Sequence, residues 1–162
     1  MRRQFASFYM GENLFGIDVL LVREINQDVD ITKVDPSPDF IIGLMNLRGQ
    51  IVAITDLGVK LGINKEADTE RKNCIVLKTD SELEHLNDEG MDVGKTSQDM
   101  IGLMVDKIGD MVTVEEEEIE NPPSNVNGVD GKYLSGVIKL ENQLLVTLKL
   151  EEILAMESEL GE

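Results

Sequence analysis

Few residues in this chain have the type and spacing that chemistry requires. The single histidine, His85, stands in the polar stretch TDSELEHLNDEG. No cysteine or second histidine lies at ligand spacing, so it reads as a solvated side chain rather than a metal ligand. The single cysteine, Cys74, lies in the apolar run NCIVL. Arg71 and Lys72 are the only nearby cations that could lower its pKa, and the run reads as a buried strand with an inert thiol. The glutamates at 115–118 could meet a hard cation, but they lack the alternating Asp/Asn/Gly spacing of a calcium loop and read as a solvated face. The 14 glycines never fall into GxGxxG or GxxxxGK(S/T) between a strand and a helix. No nucleophile–base arrangement is visible, so the expectation is a protein that is not an enzyme, with no cofactor and no metal.

Two charged residues inside apolar runs remain. Glu24 sits in LLVREI near the end of a long strand-like run, and Arg48 sits in NLRGQIVAITDL between two apolar runs. They could pair across a shared edge. An exposed ion pair adds little stability, so recognition of a partner is the better account of them.

The elements that must position this pair read as β-strands. FASFYM, LFGIDVLLV, FIIGLMNL, QIVAITDL, NCIVLKT, MIGLMVDKIGDMVTV, LSGVIKL and QLLVTLKL are short, rich in Val and Ile, and punctuated by Gly, Asn, Asp and Pro. That is the pattern of an all-β barrel or sandwich. Leu150, Ile153, Leu154 and Leu160 recur near helical spacing with glutamates between, which predicts a C-terminal helix over about 150–160. The stretch 79–99 reads as a long, mobile and dispensable hairpin loop. Residues 115–131 read as irregular, because Pro122 and Pro123 oppose regular strand or helix.

The chain also repeats. GLMNLRGQIVAITDL (43–57) aligns with GVIKLENQLLVTLKL (136–150), and FGIDVLLVREI (15–25) with IGLMVDKIGDM (101–111). Gly43 meets Gly136, Gly16 meets Gly102, and Leu57 meets Leu150. Both copies run into a helical turn. The expected architecture is therefore two related β units in one globule: a first of about 14–62 with contributions from the chain ends, and a second of about 73–150. Within the turns, Gly49 and Asn142 occupy the same place, where hairpins often need positive φ. The preceding position holds Arg48 in one copy and Glu141 in the other, so it reads as free to vary and its arginine as unrequired by folding.

The chain has 162 residues, 41% of them hydrophobic, enough for one domain with a real core. No run approaches a membrane span, and MRRQFASFYM lacks the apolar stretch of a secretory signal. With one cysteine and no internal disulfide, a cytoplasmic location is expected. A formal charge of −17 argues against nucleic acid and against direct contact with acidic membranes.

Along essentially its whole length the chain resembles the CheW-like domain of bacterial chemotaxis coupling proteins. FGIDVLLVREI, the block ITKVDPSPDFIIGLMNLRGQIVAITDL, GLMVDKIGDMVTV followed by IENPP, and YLSGVIKLENQLLVTLKLEEIL carry the likeness, the NLRG turn most specifically. The resemblance implies two five-stranded SH3-like β-barrels on a shared apolar core. It implies a non-catalytic adaptor that couples the cytoplasmic tips of methyl-accepting chemoreceptors to a CheA-like histidine autokinase through the kinase's regulatory domain. It places a receptor-binding groove between the barrels and, carried onto this chain, assigns Val22, Glu24, Ile25, Asn46, Arg48 and Gly49 to it. The kinase contact is implied at a barrel end, with no residues assigned. Ala53, Thr55 and Gly58 stand where the family usually has proline, an apolar residue and arginine, and the 79–99 segment is longer and more acidic than is typical. These departures leave open a paralogue serving another receptor–kinase system, such as one for surface motility, or a module of a larger signalling protein.

Overall fold

The computed structural model describes residues 2–33, 41–63, 73–90, 94, 96–126 and 128–160, with side chains to Ala155. Arg71, Lys72, the side chain of Leu160 and part of the ITKVDPSPDF block lie outside the described residues. In chain order, β1 (Arg2–Met10) and β2 (Asn13–Asp18) form a hairpin, and a 3-10 turn (Val19–Leu21) leads into β3 (Val22–Asn26). β4 (Ile41–Leu47) and β5 (Gln50–Asp56) form a second hairpin that ends in the single-turn helix α1 (Leu57–Lys60). β6 (Asn73–Leu77), helix α2 (Asp80–Asp88), β7 (Ile101–Val105) and β8 (Lys107–Glu115) follow. The short strands β9 (Ile119–Glu120), β10 (Asn125–Val126) and β11 (Val129–Asp130) precede β12 (Leu134–Lys139), β13 (Leu144–Leu148) and helix α3 (Leu150–Leu160).

The strands build a six-stranded sheet, β8-β1-β2-β13-β12-β9, and a five-stranded sheet, β3-β6-β7-β5-β4, beside the small β10-β11 hairpin. The all-β reading and the C-terminal helix are borne out. The expected unit boundaries are not those of the sheets. The five-stranded sheet is drawn from the middle of the chain and the six-stranded sheet from its two ends. The reason is a change of sheet within each run that reads as one strand. In FGIDVLLVREI the chain leaves β2 and crosses through the 3-10 turn, where the Asp18 carboxylate accepts from the Leu20 amide (3.0 Å). In IGLMVDKIGDM it crosses at Asp106, whose amide donates to the Tyr9 carbonyl at 3.2 Å.

The repeat is real, but its copies are exchanged. The closing strand of each copy pairs in parallel with the opening strand of the other: β5 beside β7 with Ile54 opposite Gly102, and β13 beside β2 with Thr147 opposite Gly16. A Cβ added to Gly102 would stand 2.5 Å from the Cys74 sulfur, and one added to Gly16 would stand 3.1 Å from Leu145 Cδ1. The matched glycines thus serve matched close approaches.

Three apolar clusters explain why the strands read as unbroken hydrophobic runs rather than alternating ones. Ile42, Met45, Val52, Ile54, Cys74, Val76 and Met104 form one cluster on the five-stranded sheet. Phe5, Leu14, Val114, Ile138 and Leu145 form another on the six-stranded sheet. A larger shared cluster lies between the sheets, with Phe8, Phe15, Ile75, Leu77, Leu103, Val146, Ile153 and Leu154 among its members. In β6, Cys74 and Val76 face one cluster while Ile75 and Leu77 face the other, so both faces are buried and alternation disappears. Burial also pushes the Cys74 thiol up to about 12, which keeps it protonated and unreactive.

The 79–99 segment corrects another expectation. It holds a capped helix, not a featureless loop. The Thr79 hydroxyl and the Glu82 side chain form a reciprocal capping box, and Leu83 of α2 is buried in the shared cluster. Val129 of the segment expected to be irregular is likewise core, while residues 121–123 carry no regular element.

Candidate functional site

The turn that carries Arg48 is set by its own residues. Leu47 and Gln50 are the last ladder pair of the β4–β5 hairpin, leaving Arg48 and Gly49 as a two-residue loop. Both are in the left-handed region, at φ +51° and +87°, as the tight turns that suit the twist of a hairpin require. The Asn46 side-chain oxygen accepts from the Gly49 amide at 2.9 Å and braces the turn. Gly49 therefore has the structural role expected of it. Arg48 corrects the reading that its position is free: glycine or asparagine suits that φ, and an arginine occupies it against the backbone preference. The second copy solves its turn differently. Leu140 donates to the Gln143 carbonyl at 2.9 Å, and neither Glu141 nor Asn142 takes a positive φ.

Glu24 arrives from another edge of the sheet. β3 and β4 are the two edge strands of the five-stranded sheet, and the sheet curls until they approach. Beyond β3 the chain reaches β4 at Thr32, whose amide and carbonyl both bond Leu44 at 2.8 Å. Farther along, Arg48 Nη1 donates to Glu24 Oε1 at 2.7 Å and Nη2 to Oε2 at 3.0 Å. This is the fork-to-fork geometry of a guanidinium on a carboxylate. The hydrogen bonds from Arg48 hold the Glu24 carboxyl below its ordinary range, against the opposing effect of burial.

The six expected residues divide accordingly. Glu24, Asn46, Arg48 and Gly49 meet in one place. Ile25, next to Glu24 on β3, leaves on the other face of the strand and is 40% exposed. Val22 is half-buried and packs against the shared cluster. Ile51 was missed by the sequence reading. It lies opposite Asn46 in the hairpin and is 62% exposed, the most exposed large apolar residue among those described. Strict alternation in QIVAI, with Val52 and Ile54 inward, would have put Ile51 outside. Arg23, whose guanidinium meets Glu82 of α2, was missed as well, because α2 itself was not foreseen.

The arrangement offers polar and apolar contact. A guanidinium and a carboxylate in a paired fork offer directional donors and acceptors beside an exposed isoleucine. His85 is exposed on α2, and the described residues contain no group of three or more His, Cys, Asp or Glu that could hold a metal.

Fold and site together define a two-sheet β scaffold that carries a bidentate Arg48–Glu24 pair at a positive-φ turn. A profile of the CheW-like domain matches residues 4–158, and the chain belongs to that family. It is 30% identical over 155 residues to the chemotaxis protein CheW of Klebsiella aerogenes, covering 96% of this chain and 83% of the relative. The chemotaxis protein CheW of Treponema pallidum is 26% identical over 150 residues, covering 93% and 81%. Among solved structures, the scaffolding protein TtCheW of Thermoanaerobacter tengcongensis superimposes with a TM-score of 0.74 at 28% identity, covering 94% of this chain and 88% of that one.

Proposed function

We propose that this protein is a chemotaxis adaptor that joins the cytoplasmic tips of methyl-accepting chemoreceptors to the regulatory domain of a CheA-like histidine autokinase, and that Glu24 and Arg48 form part of the receptor-binding face. The observation that carries this reading is that Arg48 is held at φ +51° in a bidentate pair on an exposed surface. Non-glycine residues kept in such conformations cluster at functional sites. Asn46 and Gly49 shape the turn, and exposed Ile51, opposite Asn46 in the hairpin, supplies apolar contact near it, while Ile25 is exposed on the other face of β3. Work in the cytoplasm at receptor arrays fits a chain in which none of the described helices is long and apolar enough to cross a membrane.

The test is Arg48→Glu, assayed for binding to a purified receptor-tip fragment and to the kinase regulatory domain. The reading expects a parent-like melting temperature, loss of most receptor affinity, and retained kinase binding. Receptor binding equal to the parent's would refute it.

A second reading, a paralogue serving another receptor–kinase system, draws on the departures of this chain. Ala53, at the position where proline is usual, donates its backbone amide to the Met100 carbonyl at 3.0 Å, a bond proline cannot make. Pull-downs with chemotaxis and surface-motility kinases side by side separate the two readings.

A further inference from the structure

Resting on the recognition role proposed for Glu24 and Arg48, we propose that Arg23 and Glu82 are positioning residues and that helix α2 fixes the strand that presents Glu24. β3 is a five-residue edge strand, hydrogen-bonded to β6 alone in its sheet, with its register broken between Val22 and Glu24. So short and interrupted a ladder leaves the strand's path weakly determined.

Side chains of successive strand residues leave on opposite faces, and each charged residue of β3 is gripped by a different element. Arg48 of the β4–β5 turn holds Glu24. Helix α2 holds Arg23: its Nη1 lies 3.4 Å from Glu82 Oε1 and 3.6 Å from the Met100 sulfur. The same Glu82 oxygen accepts from the Thr79 amide (3.2 Å) and hydroxyl (3.3 Å) in the capping box. One carboxylate oxygen therefore closes the first turn of α2 and anchors β3.

The helix is a firm support for this contact. Leu83 is 1% exposed within the shared cluster, and Leu86 packs against that cluster. Asp80 accepts from the Thr96 amide at 2.7 Å and donates its own amide to the Ser97 carbonyl at 2.8 Å. An insertion between β6 and β7, outside the candidate site in sequence, thus reaches the site through one ion pair.

The experiment compares Arg23→Gln, Glu82→Gln and their combination with the parent, with Arg48→Glu run in parallel. The readouts are affinity for a receptor-tip fragment and hydrogen exchange of the β3 amides in the free protein. Glutamine at position 82 keeps an acceptor oxygen for the capping box but removes the charge that strengthens the contact with Arg23, so helix content and melting temperature should hold. Each single change should weaken receptor binding about two- to fivefold, the range for an exposed pair. The double variant should be no weaker than the worse single, and β3 amides should exchange faster in Glu82→Gln. Parent-like affinity or parent-like β3 exchange in Glu82→Gln would overturn the proposal. So would a double variant whose loss multiplies the single losses, because Arg23 would then touch the partner on its own account. Parent-like affinity of Arg48→Glu would overturn the recognition reading beneath it; loss there with an unaffected Glu82→Gln would overturn this inference alone.

Discussion

Arg48 and Glu24 come from opposite edges of one five-stranded sheet and are joined by two side-chain hydrogen bonds of 2.7 and 3.0 Å. The strand ladders leave that sheet open, apart from the bridge between Thr32 and Leu44. The fork therefore crosses the gap where the curled sheet nearly meets itself, on a side chain 71% exposed for Arg48 and 21% for Glu24. So wet a pair contributes little to stability, so the receptor contact proposed for it can be tested apart from the fold.

Replacing Arg48 by glycine tests that separation. Glycine adopts φ +51° without a Cβ penalty, although it also loosens the unfolded chain. Arg48→Gly is expected to melt at the parent temperature or up to about 4 °C above it, while losing most receptor affinity. A fall in melting temperature of more than about 5 °C would assign the fork to the fold instead.

Acid should open the fork. Hydrogen bonding from Arg48 depresses the folded pKa of Glu24 below its ordinary 4.5. A depressed carboxyl contributes stability that is fully present above its unfolded pKa and is lost as pH falls through the folded one. The stability difference between the parent and Glu24→Gln should therefore stay constant from neutral pH down to about 5 and shrink below that. By carbon NMR, the Glu24 carboxyl should titrate below 4.5 in the parent and move upward in Arg48→Gly.

Helix α2 should prove structurally necessary. Leu83 is 1% exposed in the shared cluster, and truncating a buried leucine to alanine costs about 2–4 kcal/mol. Leu83→Ala is expected to lower the melting temperature by about 5–15 °C, and replacing residues 82–97 with a short turn should do at least as much. A parent-like melting curve for either would return this segment to the status of a dispensable loop.

Gly102 and Cys74 should be coupled. A methyl group at position 102 would stand 2.5 Å from the Cys74 sulfur and 3.0 Å from Ile54 Cδ1. Gly102→Ala should destabilise by about 1–3 kcal/mol through overpacking. Adding Cys74→Ala removes the nearer obstacle, so in denaturant unfolding the double variant should lose less stability than the two single changes together. Simple additivity would show that the backbone, not the sulfur, sets the limit.

Local features of the chain were legible in its sequence because they depend on nearby residues. The run NCIVL determines a buried strand, the spacing of Leu150, Ile153 and Leu154 determines a terminal helix with those three side chains buried, and Gly49 determines a tight turn. The internal repeat, read as sequence, already required two related β units. The pairing of Glu24 with Arg48 was legible only as a possibility.

The tertiary structure decided the rest. Nothing local in FGIDVLLVREI or IGLMVDKIGDM marks where one run must leave one sheet for the other, because β2 and β7, which open the two runs, are buried on both faces and lose the alternation that would show a change of side. The exchange of the two copies follows from that crossing. The Thr79-x-x-Glu82 spacing in TDSELEHLNDEG is a helix-start signal that the polar composition masked, but whether the helix is ordered rests on Leu83 and Leu86 reaching a core assembled from both ends and the middle of the chain. Arg48 shows the same division. Its neighbours Asn46 and Gly49 are enough to form the turn, but only the curling of the five-stranded sheet brings Glu24 within 2.7 Å of its guanidinium.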